Sequence, residues 1–401
     1  MPVKIDINVS SLRSSLVEGD VVLNIATTEA EGYSAYSLKL RLAGLLKTKV
    51  RHSTGTGTDR KTSTASQKKE IFGHDMELAS FGGRLAPGVL TFPFSCEIPP
   101  GLPPSMEESG NKGTCSIAYK LKARLHRNRA ARIGLFSKMT DPKSTRPLIL
   151  HGTTSSGARS AAPVLMGPEA RTVRNCCAAA GIVTIGSRVD SLAVGKGDTV
   201  GLNVAATNNS TSTVTAMHIK IQQLATWSAR GYHDRKKRTL AAIVVGGPSL
   251  GALQLPVEAG TARGQDLASV AETAREDLQR QLIAGGGTRY ELSVPRNALL
   301  TVRTDTIEVK HFLVLKLRTT GAYSSCSIFA ALQVRGPSAP AAGAQPETRS
   351  IVPPSAGAAP SHTATMGEAG DNGNAMPASM PASAVAMGDR IERLQQRLPT
   401  Q

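Results

Sequence analysis

Apolar and polar positions trade places with a period of two over most of the first 336 residues. That period puts one parity in a core and the other in solvent, so it predicts strands. Residues 4–9 (KIDINV) alternate cleanly, and in LVEGDVVLNI the pair Gly19-Asp20 reads as a turn feeding a second strand. In a long third strand Tyr36, Leu38, Leu40, Leu42, Leu46 and Val50 share one parity. Lys39, Arg41, Lys47, Lys49 and Arg51 take the other, and Gly44 marks a bulge. Residues 53–66 are small and polar without periodicity and predict a mobile loop, after which KEIFGHDMELAS returns as a strand. Residues 88–124 hold two further runs. Phe92, Phe94, Cys96 and Ile98 face inward in the first; Cys115, Ile117, Tyr119, Leu121, Ala123 and Leu125 do so in the second, alternating with Lys120, Lys122 and Arg124. Pro93 has no N–H for a ladder, which predicts an edge strand or a bulge. Pro99, Pro100, Pro103 and Pro104 hold an extended corner between the runs.

TRPLIL (145–150) predicts a closing strand, and the Gly/Ser/Ala/Pro-rich stretch 151–170 predicts a domain boundary. The second half repeats the style, with Val200, Leu202 and Val204 in one strand, a strand ending at Gln222-Gln223, and Ile307, Val309, Leu313, Leu315 and Leu317 in another; SIFAALQV (327–334) would close the set. An insertion over roughly 241–288 interrupts it. There Leu267, Val270, Ala274, Leu278 and Leu282 recur at helical spacing, so a helix at about 263–284 is predicted to lie on the sheet, started by Asp266 and stopped by Gly285–Gly287. From Gly336 to Gly388 the chain is Pro, Ala, Ser, Gly and Met with almost no branched aliphatics, which predicts disorder. DRIERLQQRL (389–398) adds a short amphipathic segment.

FPFSCEIPPGLPPS followed by GTCSIAYKLKA resembles the amino-terminal domain of the arrestin superfamily. The Gly-Lys-Gly-Asp turn at 195–198, Asn208-Asn209-Ser210, and YELSVPRNALLTVRTDTIEVKHFLVLKLR resemble its carboxy-terminal domain, with His311 where the family usually places Tyr. By order along the chain, the 53–66 loop stands where arrestins carry their finger loop. The resemblance implies an all-β arrestin fold of two tandem immunoglobulin-like β-sandwiches, 1–160 and 170–336, followed by a disordered tail over 337–401. It implies a non-catalytic adaptor that binds cytoplasmic segments of membrane proteins, phosphorylated or not, and links them to endocytosis, trafficking or signalling. Two family features are missing. There is no Pro-Pro-x-Tyr for recruiting WW-domain ubiquitin ligases, and no Arg-Asp segment precedes the first strand, so the ionic core of visual and β-arrestins is not carried over.

Composition adds an acidic partner to this picture, since 47 Lys and Arg against 30 Asp and Glu leave a formal charge of +17. Lys39, Arg41, Lys47, Lys49 and Arg51 on one strand, and Lys120, Lys122 and Arg124 on another, would form one cationic sheet face if coplanar. Such a face suits weak, peripheral binding to an anionic membrane, with a second contact needed to hold the protein there. The competing reading is an ordinary solvated face. Arg230, Arg235, Lys236, Lys237 and Arg238 form a denser cluster beside Trp227 and Tyr232, able to meet phosphate groups or serve as a solvated connector between strands. Nucleic acid is disfavoured because aromatics for base stacking, 3% of the chain, are scarce and scattered.

Five cysteines without Cys-x-x-Cys spacing predict neither a disulfide framework nor a zinc site, and Cys96 and Cys115 read as buried thiols. No metal or cofactor is expected. The start lacks a signal-peptide core and no apolar run is long enough to span a bilayer, which predicts a cytoplasmic protein, peripheral at plasma membrane or endosomes. Gly247-Pro248-Ser249-Leu250-Gly251 matches a hydrolase nucleophile elbow, with Asp305 and His311 downstream. It lacks the βαβ surroundings an elbow needs, so a serine hydrolase using Ser249 is the remote alternative. A retromer-subunit-like sorting protein is the nearer one.

Overall fold

The computed structural model describes residues 3–13, 15–26, 33–55, 60–126, 141–151, 162–175, 178–254, 266–320 and 325–336. The chain is all-β there, with one α-helix among the described residues. Eight strands occupy the first part: β1 (Val3–Leu12), β2 (Leu16–Ile25), β3 (Tyr33–Thr54), β4 (Lys61–Leu85), β5 (Gly88–Glu97), β6 (Met106–Ser109), β7 (Gly113–His126) and β8 (Lys143–Leu148). They form a three-stranded sheet β1-β2-β5 and a five-stranded sheet β4-β3-β7-β6, with β8 also on β7. The parity reading explains why these two sheets face each other. Val21, Leu23, Leu40, Leu42, Ile117, Tyr119 and Leu121 are buried between them, while their neighbours along each strand are not. Pro93 lies on β5, at the edge of its sheet, opposite Asp20.

The second part holds β9 (Val164–Asn175), β10 (Ala178–Val189), β11 (Ala193–Gly195), β12 (Thr199–Ser210), β13 (Val214–Ala229), β14 (Tyr232–Gly246), β15 (Thr288–Ser293), β16 (Val302–Arg303), β17 (Ile307–Thr319) and β18 (Ser325–Arg335). One sheet runs β15-β12-β10-β9. The other runs β11-β18-β17-β13-β14, with β16 on β17. A second core of Val183, Ile185, Leu202, Ile219, Leu313 and Leu315 lies between them.

Helix α1 (Leu267–Ile283) sits on the outer side of β9, β10 and β12, as its apolar stripe predicts. Asp266 accepts from the Ala268 N–H at 3.0 Å as its cap. Ala274, Leu278 and Leu282 are buried. Gly186 makes room for them, since a Cβ there would lie 2.8 Å from Leu282 Cδ1.

Several expectations need correction. Gly19-Asp20 is not a turn but the middle of β2. A Cβ on Gly19 would meet Asn8 O at 2.0 Å, next to the register shift at Val9/Ser11. Tyr36 points outward and is 60% exposed, because a register shift at Ala35/Ser37 turns it away from the core that Leu38 enters. The shift expected near Gly44 occurs, between Gly44 and Leu45. Most of the 53–66 loop is strand, since β4 already begins at Lys61 and pairs with Thr54. β9 begins at Val164, inside the expected 151–170 linker. β13 continues past Gln222-Gln223 to Ala229, and β14 extends to Gly246, shortening the insertion from its front. Asn208-Asn209-Ser210 ends β12, and the turn follows it. The tail 337–401, with its 389–398 segment, lies outside the described residues.

The far end of β13 belongs to the first core. Ala225, Trp227 and Ala229 pack there with Val302, Ile307 and Val309. Gly110 is required by this closeness, because a Cβ would stand 2.7 Å from Trp227 and 2.6 Å from Asp234. A chain of hydrogen bonds crosses the same joint. The Val334 N–H donates to Thr301 Oγ1 at 2.8 Å, and Thr301 Oγ1 lies 3.0 Å from His311 Nδ1. His311 Nε2 lies 3.4 Å from Gln223 Oε1, and Gln223 Nε2 donates to Glu108 Oε2 at 3.5 Å. The directions agree when His311 is neutral with its proton on Nε2. Burial holds its pKa down from the ordinary 6.5 to about 4, helped by Arg238 and Lys196.

Candidate functional site

The eight basic residues of the predicted face do share one. Antiparallel pairing sets Lys39 opposite Arg124, Arg41 opposite Lys122 and Ala43 opposite Lys120, with Lys47 and Lys49 continuing along β3 opposite Ser116 and Thr114. Their parity is fixed by the residues between them, because Leu38, Leu40, Leu42, Leu46 and Val50 are all buried. Arg51 ends the series, with its N–H donating to Lys112 O at 2.7 Å.

The two ends of this face differ electrostatically. β4 brings carboxylates against one end: Arg41 Nη2 donates to Glu70 at 2.5 Å and Nη1 to Asp75 at 2.7 Å. Those hydrogen bonds hold the Arg41 guanidinium more firmly protonated than usual, the Glu70 bond most of all. Lys39 lies 3.7 Å from Glu77, and Arg124 lies 3.7 Å from Asp141. At the other end β4 sets Lys68 opposite Lys47, Ser66 opposite Lys49 and Thr64 opposite Arg51. No ion pair joins Lys47, Lys49, Arg51, Lys120 or Lys122 to a carboxylate among the described residues. By strand register the acidic residues nearest this end are Glu70 on β4, opposite Leu45 and already bonded to Arg41, and Glu107 on β6, opposite Ser116. The sequence reading missed both Lys68 and the carboxylates. Their signal was the spacing of Glu70, Asp75 and Glu77 on the returning strand, readable only once its pairing with β3 is known.

The second cluster is not a connector. Arg235, Lys236, Lys237 and Arg238 lie on β14, opposite Thr226, Ala225, Leu224 and Gln223. Alternation therefore divides them. Arg235 and Lys237 stand on the outer face, where burial together with Arg235 and Lys220 depresses the Lys237 pKa. Lys236 and Arg238 share the parity of buried Asp234, and Arg238 Nη2 donates to Asn297 O at 3.3 Å. Arg230 is apart from them in the β13–β14 turn, at φ 50, with its N–H directed to Gln67 Oε1 at 3.5 Å. The two aromatics offer no base-stacking platform: Trp227 is buried and Tyr232 is stacked on His52 at 3.6 Å.

The hydrolase constellation is not assembled. Ser249 lies in a 3₁₀ segment, Gly247–Gln254, without the α-helix of a nucleophile elbow. Asp305 is ion-paired with Lys69, and His311 is buried against Thr301 and Gln223. Cys96, Cys115 and Cys326 are buried free thiols, and burial pushes Cys115 and Cys326 up to about 12, away from nucleophilic use. No cluster of metal-ligating side chains occurs among the described residues. No described helix is long and apolar enough to cross a membrane.

Residues 13–143 match the family model of the arrestin (or S-antigen) N-terminal domain. No curated protein matches the chain. The match spans most of the first sandwich, from the end of β1 to the start of β8, and so includes all eight residues of the cationic face. Over residues 13–143 the chain is thus similar to an arrestin amino-terminal domain, in an all-β molecule consistent with the arrestin-like superfamily.

Proposed function

We propose that this protein is a non-catalytic adaptor of arrestin type, which binds cytoplasmic segments of membrane proteins and links them to trafficking or signalling. We also read the two pairs of sheets, β1–β8 and β9–β18, as two domains, one on either side of residues 152–161. The observation that carries the functional reading is the set of cations on the β3–β7 face that have no ion pair among the described residues, Lys47, Lys49 and Arg51 at one end with Lys120 and Lys122 beside them on β7, inside the stretch that matches the arrestin domain. Each Lys or Arg held near an anionic bilayer contributes about 1 kcal/mol. Four or five together give roughly millimolar attraction. That is enough to concentrate the protein at a membrane surface and too little to keep it there alone, so a cargo segment would supply the second contact.

The test is sedimentation of the full chain with vesicles rich in phosphatidylserine, at rising salt. The expected result is a bound fraction at low ionic strength that falls as salt screens the charges. Absence of binding at any salt concentration would remove the membrane contact from the proposal.

A further inference from the structure

We propose that the open edge of β14 is a docking site for an acidic, extended peptide that joins the sheet as an added strand. Among the described residues β14 (Tyr232–Gly246) has one hydrogen-bonded neighbour, β13, and no ladder on its other side. β15 lies near β14 but belongs to the opposite sheet, where it pairs with β12. A strand paired on one side leaves every second N–H and C=O unused, which is the template that extended peptides recognise.

Charge selects the occupant. Arg235 and Lys237 flank the edge on one face and Lys236 and Arg238 on the other, so an added strand meets positive side chains on both parities. Asp234 marks the limit of this stretch, since its Oδ1 accepts from the Arg235 N–H at 2.8 Å and its Oδ2 from the Lys112 N–H at 3.0 Å. Farther along, Ala242 and Val244 face outward, and Val244 is 61% exposed. An antiparallel partner would therefore present β-branched apolar residues first and a run of Glu or Asp next. A second copy of β14 is a poorer match, because in antiparallel pairing along the whole edge it would set Ala242 and its apolar neighbours, and no carboxylate, opposite the Arg235–Arg238 stretch.

The probe is a fluorescein-labelled ten-residue peptide, with a Thr/Val first half and a Glu/Asp second half, titrated into the full chain by fluorescence anisotropy. A control peptide carries N-methyl groups on alternate residues, which block strand pairing and leave the charge unchanged. Two registers of the control are made so that each hydrogen-bonding edge is blocked in turn. The expected result is saturable binding that one N-methyl register abolishes, and that K236Q/K237Q weakens about tenfold. K47Q/K49Q on the other sheet should leave it unchanged, which separates this site from the membrane reading. Equal binding of both N-methyl registers, or an unaltered affinity for K236Q/K237Q, would overturn the proposal. So would a protein dimer that K236Q/K237Q tightens, or a tenfold gain on deletion of 337–401, since these assign the edge to a second copy or to the chain's own tail.

Discussion

The outward faces of β3 and β10 show two ways for one chain to finish a sheet. β3 alternates Lys and Arg with buried Leu and Val, so its outer side remains in water. β10 is buried on both sides from Gly181 to Ser187, and the chain covers its outer side with α1. A sheet face that is apolar must be sealed by the protein itself, and the helix inserted between β14 and β15 does that. A face that alternates with charge needs no seal and can be offered to a partner. The difference gives stability to one face and, on the function proposed above, leaves the other for recognition.

Leu278→Ala would break the seal and gives the largest expected change in stability. Leu278 is 1% exposed and packs with Leu282 and Ala205. The expected loss is about 2–5 kcal/mol, toward the low end because the cluster is small. Urea denaturation measures it, and a loss below ~0.5 kcal/mol would mean that α1 does not seal the sheet.

The joint between the two parts gives a comparable effect with pH. His311 is depressed to about 4 from 6.5, chiefly by burial. Below 6.5 the unfolded chain takes up a proton that the folded chain refuses, so this contribution is complete above that value and is lost as pH falls toward 4. It amounts to ~3 kcal/mol at most. Protonation would also set a second donor against Thr301 Oγ1, which already accepts from Val334. His311→Gln should flatten the stability profile between pH 6.5 and 4; an unchanged slope would place the titration elsewhere.

The period of two was enough to find both cores, because Leu121 and Leu315 are buried for no more complicated reason than their parity. It failed for Tyr36, because Ala35 and Ser37 on either side of it are buried and the alternation reverses at Ser37-Leu38, where the pairing with β4 carries an extra β4 residue. It also overestimated the loop at 53–66. Residues such as Thr62 and Ser63 carry no apolar signal, and are strand only because β3 pairs with them. The basic face was legible as residues on β3 and β7, but its division into two ends was not. That division depends on which β4 side chain stands beside which β3 side chain, and the register shift at Gly44/Leu45 decides it. The β14 cluster was legible as charge and misplaced as loop, since consecutive Arg and Lys conceal the alternation that assigns them to two faces.

The central claim is that position on the β3 face, and not the number of charges, determines attraction to an acidic surface. Two triple variants remove the same charge: K47Q/K49Q/R51Q at the uncompensated end, and K39Q/R41Q/R124Q at the end already met by Glu77, Glu70, Asp75 and Asp141. In sedimentation with phosphatidylserine-rich vesicles the first should lose about a hundredfold in partitioning, corresponding to ~3 kcal/mol, and the second less than about fivefold. Equal losses in the two variants would contradict the account.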